Sequence, residues 1–243
     1  MHDIPQDMAP EYKQMAIRLL TRQVFAESAT CELFGHAIAL GPTWKDRVQQ
    51  ARFTQEESDH VRICADLLEA LGEDVDELLE RRGNAGEFFG VGKEGLKSWV
   101  EVVAFNLIGD RAGTCQIQAY KNNSLPAWGN QMKKILADEA QHQQYGADQT
   151  IEVCRDAKKR GEMQELINEL LPVTVKRAFG RLRDGDNRYC VEVGLKRYDT
   201  DEVHYRFFKS LVPIMQQARL TFPSFRAAGV EIAPRTAGAF DLQ

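Results

Sequence analysis

The chain has 243 residues, which is enough for one well-filled core and few for two independent ones. Hydrophobic residues make up 43% and charged residues 28%, as in an ordinary soluble globular protein. The net charge of −5 argues against a nucleic-acid-binding surface, which would show clustered excess lysine and arginine. We therefore expect one domain over residues 1–243 that binds no nucleic acid.

Neither a membrane span nor a secretory signal is expected. No stretch approaches the roughly 20 apolar residues that cross a bilayer, and residues 1–10 are polar and acidic, unlike a signal peptide. The five cysteines form an odd, widely spaced set without a CxxC pair. This pattern predicts reduced thiols and a cytoplasmic location.

Apolar residues recur at three- and four-residue steps through most of the chain, which predicts helices. The predicted helices cover residues 12–40, 44–71, 74–82, 96–121, 126–160, 162–182 and 200–220. No long alternating pattern predicts a strand, so the predicted fold class is all-α. We expect a core bundle over about residues 12–160 and additional C-terminal helices over about residues 162–220.

The glycine-rich segment 83–95 is predicted to be a connecting loop. Residues 90–95 match the GxGxxG phosphate-binding pattern, but that motif requires a preceding strand and a parallel sheet. Neither neighbour of the segment has a strand pattern, so a nucleotide site is disfavoured. The tail from Pro223 onward contains Gly229, Pro234 and Gly238 and is predicted to be irregular.

Two helices carry ligand-type residues in the middle of apolar stripes. Glu57-x-x-His60 and Glu139-x-x-His142 each place a carboxylate and an imidazole one turn apart on a shared helix face. Solvated charges would not lie on such a face. One ExxH match is weak evidence for a metal site, but two matches on apolar faces of separate helices indicate that both belong to one site.

A lone acidic residue precedes each motif at nearly equal spacing: Glu27 before the first and Asp110 before the second. The chain is thus two similar helix pairs, each with one carboxylate and one ExxH, the set with which helical bundles hold two iron or manganese ions. Four carboxylates balance two divalent ions, whereas without metal they would repel and some would be protonated. We predict two iron ions, with Fe/Fe and Mn/Fe both open. The predicted metal-binding and catalytic residues are Glu27, Glu57, His60, Asp110, Glu139 and His142.

Other acidic residues and histidines are less favoured as metal ligands. Asp201-x-x-His204 has the same spacing, but in a charged C-terminal segment it predicts a helix start and a surface histidine. Glu32 and His36 lie on another face of the first helix than Glu27. Glu27 is the preferred ligand, and whether Glu32 is a ligand or supports one stays open.

Metal-bound histidines usually donate their second N–H to an acceptor. Glu56 and Asp138, each just before a ligand glutamate, are candidates for that acceptor. A solvated role is an equal alternative for either residue.

These residues resemble a known family, the catalytic subunits of bacterial phenylacetyl-CoA epoxidases, which are multicomponent di-iron monooxygenases with a ferritin-like four-helix bundle. The resemblance is carried by residues 12–27, Glu57-Ser58-Asp59-His60, Leu71-Gly72, Asp76-Glu77-Leu78-Leu79, Asp110, Glu139-Ala140-Gln141-His142, Lys196-Arg197-Tyr198, Val212-Pro213 and Thr221-Phe222-Pro223. It spans most of the chain and is patchy outside the ligands.

The resemblance implies an O2-activating oxidoreductase, a monooxygenase or hydroxylase that inserts one oxygen atom into a small organic substrate, an aromatic acyl-CoA in the family. It also implies a flavin and iron–sulfur reductase that keeps the iron ferrous, and a metal-free sister subunit in a homo- or hetero-oligomer. The family's catalytic subunit has a longer C-terminal region, so substrate and partner contacts do not carry over. Lys196, Arg197, Arg206 and Lys209 are candidates to meet CoA phosphates, although a solvated basic face is the favoured interpretation.

Three other functions share this fold class and stay open. One is iron handling or peroxide scavenging, as in ferritin and rubrerythrin, although the CxxC iron site of rubrerythrin is absent. Another is a radical-generating reductase subunit, for which Tyr145, one turn after His142, is the candidate tyrosine. The last is a non-catalytic structural subunit of an oxygenase complex. Fold alone does not separate these functions.

Overall fold

The computed structural model describes residues 4–5, 7–180, 182 and 184–242. Regular structure in these residues is helical, and they contain no strand, as the sequence periodicity predicts. The helices are α1 (Pro10–Leu40), α2 (Trp44–Ala70), α3 (Val75–Arg82), α4 (Ala85–Phe89), α5 (Trp99–Phe105), α6 (Arg111–Tyr120), α7 (Pro126–Gly129), α8 (Met132–Val153), α9 (Ala157–Phe179), α10 (Gly185–Glu192), α11 (Thr200–Ala218) and α12 (Pro234–Phe240). The fold is therefore all-α, a ferritin-like bundle with additional C-terminal helices.

Polar side chains fix where several helices begin. At α2, Thr43 accepts a hydrogen bond from the backbone N–H of Asp46, and the Asp46 side chain accepts one from the backbone N–H of Thr43. This capping box satisfies N–H groups that have no partner inside the helix. Asp156 and Asp199 cap α9 and α11 through their side chains in the same way. Such caps are typically each worth about 1 kcal/mol.

Helices α5 and α6 are joined by a π-helical stretch, Asn106–Asp110, so that one continuous helix runs from Trp99 to Tyr120. The wider turn changes the side-chain direction relative to a 3.6-residue repeat. Such π stretches are rare and often lie at functional sites. Asp110 is the last residue of this one.

The four long segments α1, α2, α5–α6 and α8 form the core bundle. One apolar cluster, with Leu20, Leu67 and Trp128 among its members, lies towards the end of the bundle where α1 begins. A second, around Phe34 and Phe53, lies towards the other end. Polar ligand-type residues lie in α1 and α2 between these clusters.

The additional helices α9 and α11 pack against α5 and α6 through the largest apolar cluster. Its fully buried members include Leu107, Ile167, Phe207 and Leu211. Because α6 contacts both the bundle and this layer, a functional residue on α6 is held from two sides.

Several predicted boundaries are wrong. The predicted helix 126–160 is divided into α7 and α8 and ends at Val153, because Asp156 caps a new helix instead. The predicted loop 83–95 contains α4, which Asn84 caps and Gly90 ends in a left-handed conformation. The predicted irregular tail contains α12, which starts at Pro234.

The charged segment between Phe179 and Leu195 contains α10, which Asp184 caps. Helix α9 begins at Ala157, five residues earlier than predicted, and ends at Phe179 rather than Leu182. Of residues 1–10, on which the expected absence of a secretory signal rests, residues 1–3 and 6 lie outside the described ones. Within the described ranges, no helix is long and apolar enough to cross a membrane.

Candidate metal centre

The structure brings all six predicted ligand residues together at the centre of the bundle. Each of the four long segments contributes: α1, α2, the π-helical stretch and α8. The residues are Glu27 (4% exposed), Glu57 (1%), His60 (0%), Asp110 (5%), Glu139 (2%) and His142 (0%). Burial of four carboxylates in one place requires compensating positive charge.

The six residues divide into two groups, each with the geometry to hold one ion. The first group is Glu27, Glu57, His60 and Glu139, and the second is Glu57, Asp110, Glu139 and His142. In each group the ligand atoms lie within 4.8 Å of one another. Glu57 and Glu139 belong to both groups, so each carboxylate can offer one oxygen to each of two neighbouring ions.

In each of the two histidines, Nδ1 faces the carboxylates and Nε2 faces away from them. Nδ1 of His60 lies 3.6 to 3.8 Å from carboxylate oxygens of Glu27, Glu57 and Glu139. Nδ1 of His142 lies 3.3 Å from Glu57 Oε1 and 3.8 Å from Asp110 Oδ1. Both Nδ1 atoms therefore point into the carboxylate cluster.

The outward nitrogens are paired crosswise between α2 and α8. Nε2 of His142 lies 2.9 Å from Glu56 Oε2, and Nε2 of His60 lies 3.3 Å from Asp138 Oδ2. Each acid directly precedes a ligand glutamate and contacts the histidine of the other helix. This arrangement places Nε2–H on the outside and leaves Nδ1 as the electron-pair donor.

The inward atoms lack partners that a buried polar group needs. Both oxygens of Glu57, Oδ2 of Asp110 and Nδ1 of His60 and His142 find no hydrogen-bond partner among the described residues. Unpartnered buried polar atoms are rare in folded proteins. Carboxylate oxygens and imidazole nitrogens that converge without partners fit a site for two iron or manganese ions.

The electrostatics of the cluster also favour bound cations. Burial, together with the charges of Asp110 and Glu57, raises the pKa of Glu139 well above its usual range. Burial alone would lower the pKa of the histidines, but hydrogen bonds and charges from Glu27 and Glu57 raise that of His60 to about 12, and Asp110 and Glu57 raise that of His142 to about 12. The cluster thus attracts protons strongly, and bound cations would replace them.

Two polar side chains that the sequence interpretation did not assign hold the ligands in place. Gln23 Nε2 donates to Glu27 Oε1 at 3.1 Å, while Gln23 Oε1 accepts from Trp128 Nε1 at 3.0 Å. Thr114 Oγ1 donates to Glu139 Oε2 at 2.8 Å. Gln23 and Thr114 each lie four residues from a ligand on its own helix, and this spacing is the signal that could have identified them.

A cavity of about 400 Å³ opens onto the carboxylates. Glu27, Glu57, Asp110 and Glu139 are among the residues that line it. From Glu27 it follows α1 outward to Met15, a distance of about 18 Å at 1.5 Å per residue. The walls are mostly apolar, with Leu19 and Ile117 among the lining residues, so the cavity can accommodate an elongated, largely apolar group.

Three basic side chains line the cavity on the side where α1 begins: Arg18, Arg22 and Lys196. Arg177 also lines the cavity, but its guanidinium donates to the backbone carbonyls of Glu87 and Phe88 in α4. Lys196 is only 7% exposed, its amine donates to Asn187 Oδ1 at 2.6 Å, and burial lowers its pKa to about 8. Arg18 is paired with Asp186. Three cations, Arg18, Arg22 and Lys196, face two acids, Asp184 and Asp186, on this side of the cavity, which favours a ligand with an anionic group.

Comparison with known proteins shows the family of the chain. The model of the phenylacetic acid catabolic protein family matches residues 1–231. The chain belongs to this family. A relative is one of the subunits, the one designated A, of the 1,2-phenylacetyl-CoA epoxidase of Escherichia coli (strain K12). It shares 24% identity over 228 residues, which cover 90% of this chain and 72% of the relative.

Other residues singled out in the sequence do not join the centre of this member of the phenylacetic acid catabolic protein family. Glu32 is paired with Arg82 at the surface, so it contacts none of the ligands. Arg197 and Arg206 stack on the ring of Tyr198, with the guanidinium carbons 5.2 and 4.1 Å from its centroid. Neither arginine lines the cavity, nor does Lys209, so of the four basic residues considered for CoA phosphates Lys196 alone lines it.

His204 was predicted to lie at the surface, and that prediction is wrong. The side chain is 1% exposed and packs against Phe179, with ring centroids 5.0 Å apart. Helix α11 turns this face towards the apolar layer formed with α9. The histidine is therefore a core residue away from the metal centre.

Tyr145 packs near the centre without contacting a ligand carboxylate directly. Its hydroxyl donates to Asp46 Oδ1 at 2.8 Å, and its ring lies 5.4 Å from that of Phe53. Phe53 in turn lies 4.1 Å from the His142 ring. Burial and the Asp46 carboxylate raise the pKa of Tyr145, so the phenol stays protonated.

Proposed function

We propose that this protein is a non-haem di-iron monooxygenase that inserts an oxygen atom from O2 into an arylacyl-CoA thioester. The observation that carries the proposal is the pair of overlapping ligand groups that share Glu57 and Glu139 and face a cavity. Two ferrous ions bound there would supply the two electrons that O2 activation requires. Mn/Fe occupancy is compatible with the same ligands.

The residues around the centre would hold it in a defined geometry. Glu56 and Asp138 fix the orientation of the histidine rings, and Gln23 and Thr114 fix one oxygen each of Glu27 and Glu139. Side chains fixed in this way need not reorganise when a ligand arrives, which favours catalysis by positioning.

The cavity supports an elongated substrate with an anionic end. The four clustered carboxylates line it, apolar side chains make up most of its wall, and Arg18, Arg22 and Lys196 line it towards the start of α1. A CoA thioester has this distribution, with phosphates at one end and an acyl group at the other. The relative's name specifies phenylacetyl-CoA, so an aromatic acyl group is the proposed reacting part.

We also propose that this chain works with a sister subunit and a reductase. The relative is one subunit of its enzyme, and we infer that this chain works with a sister subunit too. A reductase would return the iron to the ferrous state. We expect the assembly to act in the cytoplasm, where an acyl-CoA and a reductant are supplied.

The test is iron content and oxygen uptake of protein reconstituted with ferrous iron. We expect about two irons per chain and O2 consumption that depends on phenylacetyl-CoA and a reductant, with both lost in Glu57→Ala and Glu139→Ala. Wild-type protein that takes up no iron would contradict the proposal and favour a structural subunit. Mineralised iron far above two per chain would favour iron storage, and a stable tyrosyl radical lost in Tyr145→Phe would favour a radical-generating subunit.

A further inference from the structure

Gly113 lies in the interior of α6, one turn after Asp110. Glycine in the middle of a helix is unfavourable relative to alanine, because the unfolded chain has more conformations to lose. The backbone at Gly113 is helical, and any residue can adopt that conformation. What distinguishes Gly113 from an exposed helical glycine must therefore be the space that its missing side chain leaves free.

Other glycines in the bundle have a packing reason. A Cβ on Gly109 would lie 2.7 Å from the ring of Phe105, and a Cβ on Gly146 would lie 3.1 Å from Asn106. The first contact is closer than real Cβ atoms approach, and the second is tight enough that the backbone of Asn106 would have to shift. Close approach of neighbouring atoms therefore explains these two positions.

Gly113 is different, because its Cβ would meet open space. Across the described ranges, no heavy atom outside its own helix backbone and adjacent residues lies within 4 Å of that Cβ position. Gly113 lines the cavity, on the same helix as Asp110, and Ala26 of α1 lines the cavity next to Glu27. Small residues on two helices therefore widen the cavity beside the ligand carboxylates.

We propose that Gly113 is a specificity-determining residue that makes room for the aromatic ring of the acyl group next to the metal centre. This inference rests on the proposed function, which it deepens. A larger side chain at this position would project into the cavity from α6 and shorten the space for the acyl group. The acyl group would then be limited in size while the CoA portion kept its contacts towards the start of α1.

The test measures binding of phenylacetyl-CoA and acetyl-CoA to iron-reconstituted protein by calorimetry without oxygen. We expect Gly113→Leu to weaken phenylacetyl-CoA binding about tenfold or more, because a small volume change in an apolar pocket has an effect of this size. Gly113→Ala should weaken it less. Acetyl-CoA, whose two-carbon acyl group is too short to need the widened space, should bind all three proteins about equally.

Gly161 provides a matched control. It lies in α9, is exposed, and a Cβ there would meet no heavy atom within 4 Å in the part of the chain that the structure describes. Gly161→Ala and Gly113→Ala should each raise the melting temperature by about 2–4 °C, since both remove a helix-interior glycine. Gly161→Ala should leave both acyl-CoA affinities unchanged, which separates helix stabilisation from cavity filling.

Two results would overturn the inference: equal phenylacetyl-CoA affinities of the wild type and Gly113→Leu, or no binding to the wild type. Iron content is measured on the same samples and judges the proposed function separately. About two irons per chain together with equal affinities would overturn the role of Gly113 alone. Absence of iron uptake, with a selective loss of phenylacetyl-CoA binding in Gly113→Leu, would overturn the oxygenase and retain the size limit.

Discussion

The bundle centre and the C-terminal layer each contain an acid and a histidine three residues apart, and they treat the histidine in opposite ways. At the centre, neighbouring carboxylates raise the pKa of His60 and His142 to about 12. In the C-terminal layer, burial lowers the pKa of His204 to about 4. The three-residue spacing is the same in all three motifs.

The partner helices account for the difference. Carboxylates from α1, α2, α8 and the π-helical stretch surround the central histidines. His204 faces Phe179 in an apolar layer, and neither of its ring nitrogens has a hydrogen-bond partner within the described ranges. A three-residue spacing thus places two side chains on one helix face, and long-range packing decides whether that face becomes a metal centre.

The largest expected effect is stabilisation by iron at the centre. Ferrous iron at about a thousand times its Kd should raise the free energy of unfolding of the wild type by about 4 kcal/mol or more. Glu57→Gln should gain almost nothing from iron. Without metal, this variant should be more stable than the wild type by on the order of 1 kcal/mol, because it lacks one of four crowded buried carboxylates. Urea unfolding with and without iron, in the absence of oxygen, measures both.

Asp201→Asn is the control that changes the acid paired by spacing with His204 instead of the one paired with His60. Asp201 has the same spacing to His204 as Glu57 has to His60, but it should not contribute to iron binding. Its variant should keep the full stabilisation by iron. If iron stabilised Glu57→Gln as strongly as the wild type, Glu57 would not be a ligand.

A smaller effect is expected from the acids behind the histidines. Glu56→Ala should weaken iron binding about 10–100-fold, because the ring of His142 would lose the acceptor that orients it. Asp138→Ala should have a weaker effect, since its contact with His60 is longer, 3.3 against 2.9 Å. Competition with a chelator of known affinity measures both constants.

Asp59→Ala controls for the loss of negative charge on α2. Asp59 lies near the same helix turn as Glu56 but pairs with Lys134 at the surface. Its variant should bind iron like the wild type. Equal losses in Glu56→Ala and Asp59→Ala would show a general charge effect instead of ring orientation.

The helices and the clustering of buried carboxylates and histidines could be predicted because their signals are local. Helical periodicity gave α1 and α2 within a few residues, and two ExxH motifs on apolar faces pointed to Glu57 and Glu139. The sequence could also identify Glu56 and Asp138 as candidate acceptors for the histidine N–H groups, because each directly precedes a predicted ligand. These inferences need only residues within a few turns of one helix.

Features that depend on contacts between distant segments could not be predicted. The π-helical stretch that ends at Asp110 breaks the periodicity, and nothing in a 3.6-residue repeat indicates its wider turn. The crosswise pairing of Glu56 with His142 requires knowing how α2 and α8 align. His204 was misplaced because a charged segment hides one apolar face of α11, and only α9 shows which face is buried.

The last prediction tests the other side of the comparison, and its effect depends on pH. Because the pKa of His204 is about 4 in the folded protein and about 6.5 in an unfolded chain, folding opposes its protonation. Its full contribution to stability is present above about pH 6.5 and declines as the pH falls towards 4. Replacement by leucine removes this dependence and suits the apolar surroundings.

Between pH 7.5 and pH 5, the wild type should therefore lose about 2 kcal/mol more of its free energy of unfolding than His204→Leu. Urea unfolding of both metal-free proteins at the two pH values measures the difference. The metal centre titrates in both proteins alike, so its contribution cancels when the two are subtracted. Equal losses would mean that His204 has a proton acceptor in solution and that its pKa is not lowered. The contrast between the two histidine environments would then be wrong for the C-terminal layer, and the conclusions about the bundle centre would be unaffected.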